Sequence, residues 1–172
     1  MIQPKFVAVS LVLIILTGCA TPALEKLRLP GELPGWKLGH KQQDRLTSST
    51  RWEHIPEREY ISSWTKMYSV QFYAKKQTDP VTFMQGLKSG KTRICKNIQS
   101  RILDKQADSI LYEWRIKDCT RYPDQHELGR IIRGKEGLHR IAYTEKILQI
   151  PAATYQQWKK KLLGAYLETG GQ

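Results

Sequence analysis

The sequence predicts an α+β fold, in which an antiparallel sheet of about five to seven strands carries two helices packed on one face. Segments whose apolar residues alternate recur along the chain, and a period of two is typical of half-buried strands. Two further segments begin at a proline and place apolar residues at helical spacing. The order of strands, helix, several strands and helix favours an antiparallel sheet with added helices.

The clearest early strand is Trp64 to Ala74, WTKMYSVQFYA, whose even positions are apolar apart from Lys66. Its β-branched and aromatic side chains also favour a strand. Before it, the polar stretch from Trp36 to Ile55 predicts one or two short strands joined near residues 42–45.

Both helices are predicted from their first residues. Asp79 can accept hydrogen bonds from the free amides of a helix start, and Pro80 suits the first helical position. This helix is expected to end before Cys95. Pro151 begins the second helix in the same way. Its predicted apolar stripe, at positions i, i+3, i+7 and i+11, comprises Tyr155, Trp158, Leu162 and Tyr166.

Two hairpins are predicted between the helices. Ile110 to Lys117, ILYEWRIK, alternates clearly, and Arg101 to Lys105 is its expected partner across a turn at residues 106–108. The stretch ELGRIIRGKEGLHRIAYTEKI predicts a second hairpin. Its turn is Gly134 to Gly137, and Leu138 to Ile147 is the return strand.

The first nineteen residues have the features of an export signal. The apolar run from Phe6 to Leu16 is shorter than the about 20 residues that span a bilayer, and Lys5 supplies a positive start. The stretch Leu16-Thr17-Gly18-Cys19 resembles the lipobox of bacterial lipoproteins. That resemblance implies cleavage before Cys19, which then carries acyl chains and anchors the protein to a membrane.

The predicted organisation has three parts: a signal peptide at residues 1–18, the lipidated cysteine with a Pro-rich tether at 19–35, and a single periplasmic domain at 36–172. The residue after the cysteine is Ala20 rather than Asp. In the enteric lipoproteins that this signal resembles, such a residue favours sorting to the outer membrane. The expected location is therefore the cell envelope, on the outer membrane and facing the periplasm.

Cys95 and Cys119 remain once Cys19 is used for lipid. A pair of cysteines in an oxidising compartment usually forms a disulfide, and closing this loop would contribute roughly 3 to 4 kcal/mol. A metal site is the rival interpretation. It would need His126 and further ligands, but the chain has no CxxC or HExxH motif. The disulfide is the prediction, with no metal site and no cofactor.

The chain is strongly basic, with a net charge of +12, and removal of the signal with its single Lys5 leaves +11. A basic domain on a membrane suggests anionic partners: anionic lipid, lipopolysaccharide or an envelope protein complex, with nucleic acid unlikely. A basic surface that serves solubility is the alternative. The candidate polyanion-binding residues are Lys75, Lys76, Lys159, Lys160 and Lys161.

No catalytic signature is found in the sequence. The four histidines are scattered, and G-x-S-x-G is absent. The expected function is therefore a non-catalytic accessory, assembly or binding component of the envelope. An envelope hydrolase, or an inhibitor of one, is the alternative. A cleft with converging titratable side chains would favour the enzyme, and a continuous basic or aromatic patch would favour the binding module.

The body of the chain also resembles a family of uncharacterised exported proteins of proteobacteria. The resemblance covers Arg51 to Tyr143: Glu53 and Pro56 form an E-x-x-P turn before the strand that begins at Trp64, and LYEWRIKDC precedes a glycine-turned hairpin. This chain has no cysteine near its C-terminus, unlike that family. The resemblance implies the fold and export and no particular activity.

Overall fold

A computed structural model describes residues 25–169, and its centre is one seven-stranded antiparallel sheet. Its strands, in chain order, are β2 (Trp36–Asp44), β3 (Ser49–Pro56), β4 (Lys66–Ala74), β5 (Cys95–Lys105), β6 (Ser109–Cys119), β7 (Gln125–Arg133) and β8 (Gly137–Glu145). The smaller elements are β1 (Lys26–Arg28), helix α1 (Pro80–Thr92), helix α2 (Ala152–Leu163) and β9 (Tyr166–Glu168). The α+β class and the number of strands are confirmed.

Two meanders meet in the middle of this sheet. Strands β2, β3 and β4 follow one another, and α1 then carries the chain to the far edge, where β5 begins. Strands β5 to β8 return from that edge, so that β8 pairs with β4 and the spatial order is β2-β3-β4-β8-β7-β6-β5. The two central strands therefore come from different halves of the chain.

The two helices pack against opposite faces of the sheet, so the prediction that they share one face is not confirmed. Met84 of α1 lies in a core cluster with Tyr112 and Trp114, which are even-numbered residues of β6. Trp158 of α2 lies in a second cluster with Leu111, an odd-numbered residue of the same strand. Because side chains alternate along a strand, even and odd positions face opposite sides.

The first described residues belong to the fold, although the sequence predicts a tether that reaches to Gly35. Strand β1 pairs with β9 in a separate two-stranded sheet. Leu27, Leu29 and Leu33 pack against the cluster around α2. The Glu25 carboxylate accepts hydrogen bonds from two backbone amides of the β7–β8 turn, at 3.0 and 3.1 Å. Single leucines in this proline-containing segment thus pack on the sheet, although the segment forms no long strand with a period of two.

The predicted disulfide is confirmed. Cys95 and Cys119 are directly opposite each other in the antiparallel pair β5–β6, and their Cα atoms are 4.0 Å apart. The bridge joins the first residue of β5 to the last residue of β6. It therefore closes the end of this hairpin that lies opposite its turn.

The helix starts agree with prediction, whereas some boundaries differ. The Asp79 side chain accepts a hydrogen bond from the Thr82 amide at 3.0 Å, so the expected cap is present. The β2–β3 turn falls at residues 45–48, slightly later than predicted. Tyr166 lies outside α2, in β9, and is exposed, so its place in the apolar stripe is wrong.

Candidate functional site

A groove of about 400 Å³ lies beside α1, and we call it the α1 groove. It forms because α1 packs against β5, β6 and β7, while the neighbouring part of the same sheet face, on β3, β4 and β8, is not covered by that helix. The residues that face the groove are at even positions of β6 and β8 and at odd positions of β3, β4 and β7. Its charged and amide side chains include Arg51, Glu53, Gln71, Lys91, Glu127 and Arg140.

The floor of the α1 groove is a buried hydrogen-bonded network around Arg140. Its guanidinium donates to Glu127 Oε1 at 2.5 Å, to the Tyr112 hydroxyl at 2.7 Å and to Gln71 Oε1 at 2.7 Å. Tyr112 in turn donates to Glu127 Oε1 at 2.8 Å, and Thr144 donates to Glu127 Oε2 at 3.2 Å. All three guanidinium nitrogens are engaged, so the network is held in one arrangement.

Electrostatics hold this network in its charged form. Burial alone would lower the pKa of Arg140, but the Glu127 carboxylate together with Tyr112 and Tyr73 outweighs burial and raises it. Burial raises the pKa of Tyr112 well above its ordinary value, which keeps the hydroxyl protonated and able to donate. The groove floor therefore presents a neutralised ion pair.

Lys91, in the last turn of α1, adds a cation to the wall of the groove beside Arg51 and Arg140. Its Nζ atom lies 4.5 Å from the ring centroid of Tyr122 and 5.4 Å from that of Trp114. Burial lowers its pKa, and the more distant Glu127 carboxylate only partly opposes that effect. Within residues 25–169, Lys91 forms no ion pair.

Trp114 adds a donor that has no partner. Only 1% of this residue is exposed, and it contributes to the lining of the α1 groove. Its Nε1–H is buried and makes no hydrogen bond to any described residue. Buried polar groups are normally paired, and Nε1 itself exposes less than 1 Å² of surface, so this indole N–H is an unpaired donor within the core.

A second polar cluster lies on the opposite face, around Glu113. The Ile150 amide donates to His126 Nδ1 at 2.9 Å, which leaves the proton on Nε2, and Nε2 donates to Glu113 at 2.8 Å. Arg101 and Tyr155 also donate to this carboxylate. Each polar atom named here has a partner, and His126 is fully buried, so the cluster cross-links β6, β7 and α2.

A third candidate is an apolar cavity of about 360 Å³ between β1 and the sheet. His139 Nε2 lies 3.6 Å from the Glu25 carboxylate, and the histidine ring stacks on Phe72. Burial lowers the pKa of His139. Lys26, Arg28 and His54 also line the cavity, and the buried Nδ1 of His54 and Nε2 of His139 make no hydrogen bond to any described residue.

The structure separates the lysines that the sequence singles out. Lys75 and Lys76 are exposed in the connection from β4 to α1, whereas Lys159, Lys160 and Lys161 lie on α2, which packs on the other face. The Lys75 amide donates to the Glu136 carbonyl at 2.7 Å, which places the first pair beside the β7–β8 turn. Cys19, the predicted lipidation site, lies outside the described residues.

Sequence reasoning misses the residues of the α1 groove. It places Arg140 and Glu127 only in a hairpin, and Lys91 only in the helix that is expected to end before Cys95. The sequence offers one signal for such a site, namely a charged residue at a strand position that faces the helix. A charge at such a position is buried and therefore requires a partner. Which partner each one meets depends on the register of β4, β8 and β7, where Gln71 faces Arg140 and Thr144 faces Glu127.

No family model, curated protein or solved structure shows significant similarity to this chain. In the part of the chain that the structure describes, neither helix has the length and apolar character needed to cross a membrane. Within residues 25–169, no group of three or more His, Cys, Asp and Glu side chains could hold a metal ion.

Proposed function

We propose that this protein is an outer-membrane-anchored periplasmic lipoprotein with a non-catalytic binding role in the cell envelope, and that the α1 groove is its binding surface. The observation that carries the proposal is an uncovered groove of about 400 Å³, whose floor is the Arg140 network. Its charged groups are already fixed by one another, which is the preorganisation that a binding surface needs. The groove has the size of a small-ligand or peptide-side-chain pocket.

The entry point of the chain supports an anchored arrangement. Glu25 is held on the β7–β8 turn, and the chain from Cys19 to Glu25 spans at most about 20 Å when extended. A lipid on Cys19 would therefore hold this end of the domain close to the membrane. Lys75 and Lys76 are beside the same turn, where they would meet anionic headgroups.

The same geometry would direct part of the α1 groove away from the membrane. Thr144 lines the groove and lies about 23 Å along β8 from Gly137, the residue that begins this strand at the anchored end. Trp64, two residues before β4 begins, lines it as well. A periplasmic partner could therefore reach the groove while the lipid remains inserted.

The anchor is tested by replacing Cys19 with alanine. Fatty-acid labelling should disappear and the unprocessed precursor should accumulate, because the thiol that accepts the first lipid is gone. Normal labelling of this variant would overturn the lipoprotein assignment.

The binding surface is tested by photo-crosslinking in intact envelopes. A photoreactive phenylalanine in place of Tyr122, at the groove, should capture a discrete envelope component. The matched control replaces Tyr60, which is 73% exposed and lies outside the groove lining. Equal capture from both positions, or from neither, would contradict the assignment of the α1 groove as the binding surface.

A further inference from the structure

We infer that the cavity between β1 and the sheet, which we call the β1 cavity, binds the alkyl tail of a single-chain anionic amphiphile, of which a long-chain fatty acid is the simplest. This site is separate from the α1 groove, so the inference goes beyond the proposed function and does not depend on it. Two observations carry it: an elongated apolar channel with half-buried walls, and exposed lysines beside it that have no described acidic partner.

The β1 cavity lies on the face of the sheet that carries α2. On this face α2 packs against β7 and β8, and the β1 segment lies against the neighbouring strands β3 and β4. Leu27, Trp52, Val70 and Phe72 line the space between them, and each of these residues is half-buried rather than enclosed in the core. An entering molecule can therefore contact their side chains directly.

A second cavity of about 320 Å³ continues the β1 cavity along β4. The two share four lining residues: Leu27, Arg28, His54 and Val70. The first reaches Phe72 and the second reaches Tyr68, four residues away along the strand, which corresponds to about 13 Å. A channel of this shape suits one extended alkyl tail, whereas a lipid with two tails would leave the second tail outside.

The polar side chains inside the β1 cavity do not provide a site for the head group. Burial lowers the pKa of His54, and it lowers that of His139 despite the opposing Glu25 carboxylate, so both rings are neutral at pH 7. The unpaired nitrogens of these rings expose less than 1 Å² each and cannot reach a ligand. The Glu25 carboxylate is held by the amides of the β7–β8 turn. The interior therefore favours a tail without polar groups.

The rim of the β1 cavity is basic. Lys26 and Arg28 are exposed and contribute to its lining, and Lys41 Nζ lies 5.9 Å from the ring centroid of Trp52. Arg28 pairs with Glu168 at 2.8 Å, whereas neither lysine forms an ion pair with any residue from 25 to 169. An anionic head group at this rim gains their attraction while its tail fills the channel.

The experiment is photolabelling of the purified mature protein in digitonin, a detergent whose rigid steroid offers no extended alkyl chain. The main probe is a fatty acid with a diazirine in its chain. The fatty alcohol with the same chain is the neutral probe, and phosphatidylglycerol with the same acyl chain is the two-tailed probe. Peptide mass spectrometry identifies the labelled residues. The fatty acid should label peptides that contain Leu27 or Val70, and it should do so more strongly than phosphatidylglycerol.

Val70→Phe places a ring in the channel and should reduce this labelling at least about fifteenfold. Each buried methylene contributes about fourfold to affinity, so the exclusion of two methylenes gives that factor. Ile102→Phe is the matched control, because Ile102 is 39% exposed on β5 and lines neither cavity. It should label like the unmodified protein. A thermal melt checks that each variant is folded.

The rim is tested by exposed substitutions that leave the core unchanged. Lys26→Gln combined with Lys41→Gln should reduce labelling by the fatty acid about two- to tenfold, the range expected for two exposed charge contacts, and should leave labelling by the alcohol unchanged. Lys37→Gln combined with Lys66→Gln removes the same charge from residues outside both cavities, so it should change neither.

Four outcomes would overturn the inference: labelling that avoids both Leu27 and Val70, equal losses in the two phenylalanine variants, equal losses in the two glutamine pairs, or stronger labelling by phosphatidylglycerol. Labelling that occurs only after Cys19→Ala would assign the β1 cavity to the chain's own lipid and would also overturn it. The Tyr122 crosslink tests the α1 groove separately, so none of these results decides the proposed function.

Discussion

Gly129 is a position where the addition of a single methyl group should damage the protein directly. It lies on β7 opposite Tyr112 of β6. A Cβ atom added to Gly129 would be 2.7 Å from Tyr112 Cε1 and closer still to Cζ and the hydroxyl oxygen. Non-bonded carbon atoms are comfortable at about 3.5 to 4.0 Å, so the ring would have to move by about 1 Å. Tyr112 is fully buried and has no free space to enter.

The expected cost follows from two effects. Overpacking of a close-packed core typically costs about 1 to 3 kcal/mol. Displacement of Tyr112 also strains its hydrogen bonds to Glu127 and Arg140, and bonds to charged groups contribute about 1.5 to 3 kcal/mol. Gly129→Ala should therefore reduce the free energy of unfolding by about 3 kcal/mol or more, as measured by urea denaturation followed by circular dichroism.

Gly86→Ala is the matched control. Gly86 lies inside α1 and is exposed, and no atom lies within 4 Å of the position that an added Cβ would take. Alanine is favoured over glycine in a helix, so this change should stabilise the protein by up to about 1 kcal/mol. A second test combines Gly129→Ala with Tyr112→Leu, which removes the ring, and the two changes should then cost less than their sum. Unchanged stability of Gly129→Ala alone would refute the steric reasoning.

Three further perturbations test other parts of the fold. Alanine at both Cys95 and Cys119 should cost about 3 kcal/mol, and alkylation of the unreduced protein should find neither thiol free. Burial lowers the pKa of His126 below its ordinary 6.5, so the unfolded chain binds the proton more readily than the folded protein. The free energy of unfolding should therefore be full above about pH 6.5 and should fall as the pH decreases. The fall should be weaker in His126→Gln. Burial alone would raise the pKa of Glu113, but its hydrogen bonds lower it below 4.5. A further loss of unfolding free energy should therefore begin near that pH. A flat profile of unfolding free energy from about pH 4 to pH 8 would contradict the statements on both His126 and Glu113. Trp158→Ala should cost about 3 to 5 kcal/mol in urea denaturation, because the ring stacks in the core at 4% exposure, and a loss below about 1 kcal/mol would show that α2 is not anchored there.

The sequence predicts those elements whose signals are local. The cap at Asp79 depends on one side chain and the amide of Thr82 nearby, and it is present. The strand that ends at Ala74 is present because its alternation is strong over nine residues. Strand β1, in contrast, has only three residues and pairs with β9 from the other end of the described chain. It is too short to show an alternation of apolar residues, so the sequence does not predict it.

The face on which each helix packs could not be predicted, for a reason visible in β6. Its even positions are Ile110, Tyr112, Trp114 and Ile116, and this apolar set suggests one buried face. The odd positions Leu111 and Glu113 are buried as well, because Leu111 meets α2 and Glu113 is satisfied by partners that are distant in sequence. A polar residue with such partners looks solvent-exposed when only the sequence is read.

The candidate site depends on the same kind of long-range pairing, and this connects its stability to its chemistry. Burial of the Arg140–Glu127 pair costs desolvation energy that the ion pair only roughly repays, so the pair is a weak source of net stability. Its effect on the α1 groove is larger, because without Arg140 a bare carboxylate would face the Lys91 ammonium. The ion pair on the floor thus keeps the Glu127 charge compensated within the groove.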